Sequence, residues 1–415
     1  MLALRLARGA RPLVQLRRLL VTTASAGTGF LLLCTLGYAL GHPQASAGSA
    51  LRLAWCGAPV AATVYLAVAV ARTDPGTRPR TGLAAIGLGP ARLMALSAMT
   101  TALSTVLGSL LALLVFLHLR GDATGMPFDG AAAGFLAADQ PLPVPAALTL
   151  LTLVPLAASV ASALALRPGR VRPPRAGGRG GHPRTASGDD DAPDGQPVGP
   201  TAEAPAPGPP VAPRPAPGGL PWGVAALAAG LAVETHASRS GRTPGLPLPG
   251  GLVGGPAGVL AGWALTALGL ALAGPAIAYV CGQLLQAVRP GAVRLLAGRG
   301  LQEEARRIGR PLGVVCAVAS GAYVLATQYG DARPSFGPLS TLGVVLVAGC
   351  TLATLATAAV EARQARADTV AALGRLGAPT TMLRTAALLR AGALAVVFAP
   401  LTWAVAELAA MPAAG

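Results

Sequence analysis

Long, uninterrupted apolar blocks are the feature that most constrains how this chain can fold. Several reach the roughly 20 residues that an α-helix needs to cross a bilayer core, and 53% of the 415 residues are hydrophobic while 12% are charged. Backbone groups inside lipid must satisfy their own hydrogen bonds, so such blocks form helices or the strands of a closed barrel. They lack the period-two alternation of barrel strands. The sequence therefore predicts an all-α integral membrane protein.

About nine of these blocks are interpreted as transmembrane helices. The fifth is short and weakly apolar, so eight or ten helices remain alternatives. The first follows an Arg-rich start, as a signal peptide would, but its apolar run exceeds the 7–15 residues of a signal core, which favours a retained helix. The predicted spans are 19–40, 51–71, 93–118, 145–166, 219–235, 256–281, 311–328, 339–360 and 385–411.

The basic residues are all arginines, and they concentrate on one side of the predicted spans. With the N-terminus inside, 26 of the 32 fall in inner segments, five in outer segments and one, Arg390, within the last span. Cytoplasmic loops carry such an excess. The pattern predicts a multi-pass protein of the cell membrane with a cytoplasmic N-terminus and an outer C-terminus. The net charge of +16 is expected to meet anionic membrane lipid and not nucleic acid, because no basic folded module is visible.

A polar segment at 167–218 divides the chain. It is rich in Pro, Gly, Arg and Asp, and it has too few apolar groups to offset the entropy lost on ordering, so it is predicted to be a disordered cytoplasmic linker. The rest divides into two degenerate repeats: residues 1–166 with four transmembrane helices and 286–415 with three. Residues 219–285 supply two connecting helices.

A short internal repeat supports this division. Residues 84–89 follow the second span and 371–377 follow the eighth; with Arg375 treated as an insertion, five of six positions are identical. In the second copy, Gly377 and Pro379 are placed to end a short amphipathic helix at the inner membrane surface. Such a helix is either a lever that moves the adjoining spans or an interfacial anchor for a loop.

The second copy also resembles a known family. Segment 361–398, with Glu361, nearby arginines, the run Ala-Leu-Gly-Arg-Leu-Gly-Ala-Pro at 372–379 and a following apolar span, resembles the core of FtsX-like ABC-transporter permeases. Residues 72–118 resemble a more degraded first copy, and 294–310 resemble the lead-in to a repeat of that family.

The resemblance implies a permease subunit whose inner loops dock on a cytoplasmic ATPase in trans. This sequence departs from the family pattern in two respects: it shows neither the large extracellular domain nor the fourth helix of the second repeat. A non-transporting membrane scaffold or regulator derived from such a permease is therefore the alternative. An ion- or proton-coupled transporter is a third hypothesis, with few acidic residues within spans to support it. The coupling residues that the resemblance assigns are Leu83, Leu88, Gly89, Arg92, Glu361, Leu373, Arg375, Leu376 and Gly377.

The sequence indicates no catalytic, cofactor-binding or metal-binding residues, and an enzyme is not predicted. A P-loop requires a lysine, and the chain has none, so any ATP hydrolysis that the function requires would come from a partner chain. The five cysteines lie in or beside apolar blocks without metal-ligand spacing, which is typical of helix packing. Glu234 and His236 are expected to form a polar pair at the membrane surface, with a metal site or proton relay as the alternative.

Two further patterns leave alternatives open. Arg390 and Glu407 fall within the last span, where each is expected to extend toward its nearer interface or else to face the bundle. Small residues recur every four positions and predict close helix contact, either within the bundle or in a homodimer; they are Gly250, Gly254, Gly258 and Gly262.

Overall fold

A computed structural model describes most of the chain and shows a helical bundle. The described residues are 12–73, 90–122, 129–167, 218–240, 257–287, 291–328 and 337–411, and they contain no β-strand. Their helices are α1 (Pro12–Gly41), α2 (Ser46–Trp55), α3 (Gly57–Thr73), α4 (Pro90–Arg120), α5 (Val144–Ala165), α6 (Leu220–Ser240), α7 (Ala257–Ala287), α8 (Ala292–Gln328), α9 (Pro338–Arg375) and α10 (Thr380–Ala410).

Eight helical segments in the described residues are long and apolar enough to cross a membrane. They correspond to eight of the predicted spans, with α2 and α3 forming one of them, and they confirm the all-α, multi-pass membrane class. The ninth predicted span is α6, whose 21 residues are less apolar than the others. It nevertheless packs antiparallel along α7, because Gly223 meets Ala273 at one end and Ala237 meets Gly258 at the other.

Helix α1 lies at the centre of one group of helices. Leu32 and Leu33 are almost fully buried, and α1 contacts α3, α4, α5 and α9. Buried hydroxyl groups join these helices: Ser25 donates to the carbonyl of Thr105 at 2.8 Å, and the hydroxyls of Thr28 and Thr63 are 2.9 Å apart. Hydrogen bonds of this kind hold membrane helices together where lipid provides no hydrophobic drive. The first predicted span is therefore an integral part of the bundle.

Helix α7 lies at the centre of the other group, between α6 and α8. Glycines let these backbones approach closely: a Cβ atom added to Gly262 would lie 2.8 Å from Cβ of Glu234, and one added to Gly309 would lie 2.5 Å from Cα of Pro275. Gly258 and Gly262 therefore make close helix contacts within the bundle, which is one of the two alternatives that their spacing left open. Gly250 and Gly254 lie outside the described residues.

Helix α9 connects the two groups. It packs on α1 and α3 through its N-terminal half and on α8 through its C-terminal half. Helix α10 then returns parallel to α8, since Ser320 donates to the carbonyl of Thr402 and Tyr323 donates to Glu407 at 2.5 Å. Helices α5, α7, α8 and α10 each continue through an interior proline, whereas the interior of α9 contains none.

Candidate functional site: the α9–α10 turn and its ion pairs

The predicted coupling segment is the end of a long helix and not a separate interfacial helix. Residues 361–375 continue the membrane-spanning part of α9 without a break, so that α9 has 38 residues. The expectation of a short amphipathic helix lying at the membrane surface is therefore wrong. The physical reason is that residues 350–373 contain neither proline nor glycine, so nothing in the backbone ends the helix where the side chains change from apolar to polar.

The turn after α9 has the geometry that Gly377 and Pro379 predicted. Gly377 has a φ of +84°, in the left-handed region that glycine adopts without steric cost. Its N–H donates to the carbonyl of Gly374 at 3.1 Å, and the N–H of Ala378 donates to the carbonyl of Leu373 at 3.0 Å. This pair of bonds is a Schellman motif. It fixes the direction in which α10 leaves, starting after Pro379.

A buried carboxylate links α9 to α8 a few turns before this end. Glu304 on α8 is 6% exposed, and its Oε1 lies 2.8 Å from Nε of Arg366 on α9. The same Nε donates to the carbonyl of Ala362 at 3.1 Å, which holds the guanidinium against its own helix. A second, more exposed pair of the same two helices joins Arg307 to Glu361 at 3.9 Å.

Arg390 brings α10 into the same network. Its guanidinium lies against Gly300 of α8, where an added Cβ would be 2.6 Å from Nη1, and its Nε donates to the carbonyl of Ala386 at 3.2 Å. It is within electrostatic reach of both Glu304 and Arg366. Arg390 therefore faces the bundle, which was the alternative to an extension toward the membrane surface.

The predicted coupling residues are distributed unevenly around this site. Glu361 and Leu373 are half-buried, whereas Arg375, Leu376 and Gly377 are exposed, with Leu376 83% exposed. Arg92 is exposed on α4, away from this turn in the chain. Leu83, Leu88 and Gly89 lie outside the described residues, as do 167–218 apart from the two ends of that segment.

Sequence reasoning missed Glu304, although it pairs α8 with α9 and lies within electrostatic reach of Arg390 on α10. It follows directly after Glu303 in a stretch with Arg299, Arg306 and Arg307. Nothing in that charged stretch distinguishes Glu304 from its exposed neighbours. The available signal was periodic: Ala297, Leu301, Glu304 and Ala305 are buried on one face of α8, at the spacing of a helix stripe.

Glu234 contradicts the expectation of a surface polar pair. It is 1% exposed and accepts a hydrogen bond from Nε1 of Trp263 at 2.7 Å, whereas His236 is exposed. The five cysteines are all buried and free, as packing residues would be. No cluster of three or more His, Cys, Asp or Glu side chains arranged to hold a metal occurs in the part of the chain that the structure describes.

These features define a multi-pass, all-α membrane protein with an exposed turn between α9 and α10 and an ion pair with a buried carboxylate between α8 and α9. No protein-family model, curated protein or solved structure matches this chain.

Proposed function

We propose that this chain is a permease subunit of an FtsX-like ABC transporter, moved by a cytoplasmic ATPase that binds the α9–α10 turn. The observation that carries the proposal is the combination at that turn of exposure and rigidity. The Schellman motif holds the backbone around Gly377, while Leu376 extends its side chain away from the rest of the described structure.

The chemistry of the turn suits a protein partner. An apolar side chain that is 83% exposed on a fixed turn is of the kind that fills a pocket in a binding partner. The exposed Arg363 and Arg375 on the preceding turns of α9 add positive charge, which would direct an acidic partner surface toward this end.

The ion pairs explain how force at the turn would reach the membrane. Movement of α9 carries Arg366 with it, and Arg366 is bound to Glu304 of α8. Arg390 of α10 lies in the same network. Since breaking a buried charge pair is costly, the three helices would move together. Binding energy from the ATPase would then shift the helices that traverse the bilayer.

The direct test is affinity purification of the tagged full-length chain from gently solubilised membranes. We expect an ATPase to co-purify with the parent, and its yield to fall on the order of tenfold or more in Leu376→Asp, as for loss of an interface hot spot. Phe135→Asp is the matched control, since Phe135 is 61% exposed but follows α4 at the opposite end of the bundle, beside the Leu136 cluster that contacts Leu339.

Three outcomes would count against the proposal. Equal ATPase recovery with Leu376→Asp would exclude this turn as the docking site. An equal loss with Phe135→Asp would show that the effect is not local to the turn. If no ATPase is recovered with the parent under conditions that preserve known complexes, a scaffold or regulator becomes the better interpretation.

A further inference from the structure

Glu234 is a buried acidic side chain that the coupling mechanism does not use. It lies on α6 with 1% of its surface exposed. Its Oε1 accepts the hydrogen bond from Nε1 of Trp263 on α7 at 2.7 Å. Its Oε2 is buried and makes no hydrogen bond.

The packing of α6 on α7 explains why this carboxyl group is shielded. Gly230 and Gly262 bring the two backbones together, and an added Cβ at Gly262 would lie 2.8 Å from Cβ of Glu234. Thr266, one turn after Trp263, places a second buried oxygen without a hydrogen-bond partner in this interface. The interface therefore contains unused hydrogen-bonding groups as well as apolar contacts.

No cation in the described residues forms an ion pair with Glu234. The helices packed on α6 are α7 and, by a small contact, α10. Helix α7 carries no charged residue, and its titratable side chains, Tyr279 and Cys281, lie about 24 Å or more along the helix from Trp263. On α6, the other charged or titratable residues are His236 and Arg239, and both are exposed. On α10 they are Arg384, Arg390 and Glu407, and Glu407 accepts a hydrogen bond from Tyr323.

Two protonation states can be compared for such a carboxyl group. Ionised, it would place a full charge in a buried site with one hydrogen bond and no cation among the described residues, which is among the most costly arrangements in a protein. Protonated, it leaves one O–H group unpaired, which costs no more than a missing hydrogen bond. The protonated form is therefore the stable one in this packing, with the proton on Oε2 because Oε1 accepts from the indole.

We propose that Glu234 is a proton-binding site that holds its proton while α6 and α7 are packed and releases it when they separate. On separation, the O–H bond at Oε2 breaks, its electron pair stays on the carboxylate, and the proton passes to an entering water molecule. Proton binding would thereby be linked to the arrangement of these two helices.

Infrared spectroscopy of the purified full-length chain in lipid nanodiscs tests this directly. A protonated carboxyl group has a carbonyl stretch at higher frequency than a carboxylate or an amide. We expect such a band in the parent at neutral pH, its loss in Glu234→Gln, and its retention in Glu407→Gln, which removes a carboxyl group from another membrane helix.

A second measurement uses Trp263 as a reporter. The difference in fluorescence between the parent and Trp263→Phe should change with alkaline pH as Glu234 ionises beside the indole, and this change should be absent in a Glu234→Gln background. Absence of the carboxyl band in the parent at neutral pH, or its persistence in Glu234→Gln, would overturn the proposal. A pH-independent Trp263 signal over the range in which the band disappears would also overturn it.

Discussion

The Nε atom of Arg366 on α9 lies 2.8 Å from Oε1 of Glu304 on α8, and the carboxylate of that pair is almost completely buried. Arg390 of α10 also lies near this carboxylate. Glu304 therefore forms a direct ion pair with Arg366 and attracts Arg390 over a longer distance, so the arrangement depends on its charge.

Replacing Glu304 with Gln should destabilise the bundle strongly. The substitution keeps the shape but leaves Arg366 and Arg390 without their counter-charge, and breaking a buried pair in this way costs about 3 kcal/mol. Thermal unfolding in nanodiscs would measure the loss. The control is Arg307→Gln, in the half-exposed pair with Glu361, which should cost less than about 1 kcal/mol. Equal effects would mean that burial does not distinguish the two pairs.

A double-mutant cycle should show that Glu304 and Arg366 act as a pair. We expect the combined Glu304→Gln and Arg366→Gln variant to be less destabilised than the sum of the single changes, with a coupling energy of about 1–3 kcal/mol. Additive effects within about 0.5 kcal/mol would show that the 2.8 Å contact contributes no specific pairing.

Gly377→Ala should weaken the turn after α9. A Cβ atom there would meet no neighbour, but the φ of +84° is unfavourable for an L-residue by about 1–2 kcal/mol. Hydrogen exchange of the amides of Gly377 and Ala378 should accelerate. Gly374→Ala is a closely matched control, because that glycine is helical and equally open, so alanine should slow exchange or leave it unchanged. The reverse order of the two variants would refute the assignment of the Schellman motif.

Gly309→Ala should disrupt the contact of α7 with α8. The new methyl carbon would lie 2.5 Å from Cα of Pro275 and 2.6 Å from the carbonyl oxygen of Gly274, and backbone atoms cannot move aside cheaply. We expect a loss of about 1–3 kcal/mol, measured as thermal stability. Gly321→Ala on the same helix has open space around it and should be neutral or stabilising. Comparable stability of the two variants would contradict the close approach.

The sequence predicted those features that depend on local chemistry. The length of the apolar segments predicted the membrane-crossing helices. Gly377 and Pro379 predicted the turn, because their backbone preferences end a helix whatever the rest of the fold. The extension of α9 was not predicted, since the change from apolar to polar side chains at Glu361 looked like a boundary although nothing there stops a helix. Hydropathy reports where lipid ends, which need not be where hydrogen bonding ends.

The predictions that failed concern which neighbour a side chain meets. The position of Glu234 near the end of a predicted span indicates a residue at the membrane surface. It lies on the face of α6 that carries Gly223, Gly230 and Ala237, all of which contact α7. Those small residues recur at helical spacing, and this stripe is the sequence signal that places Glu234 in the interface. The pairing of Arg366 with Glu304 spans 62 positions of the sequence, and only the fold brings the two together.

The unbroken length of α9 places its contacts in a fixed order along one rod. At 1.5 Å per residue, Arg375 lies about 14 Å from Arg366 along the axis, and Pro338 lies about 42 Å from it in the other direction. The ion pair with Glu304 is therefore close to the exposed end of the helix, whereas the contacts with α1 and α3 are on its distant half. If a partner binds the turn as proposed, its force would reach α8 first and the helices around α1 only afterwards.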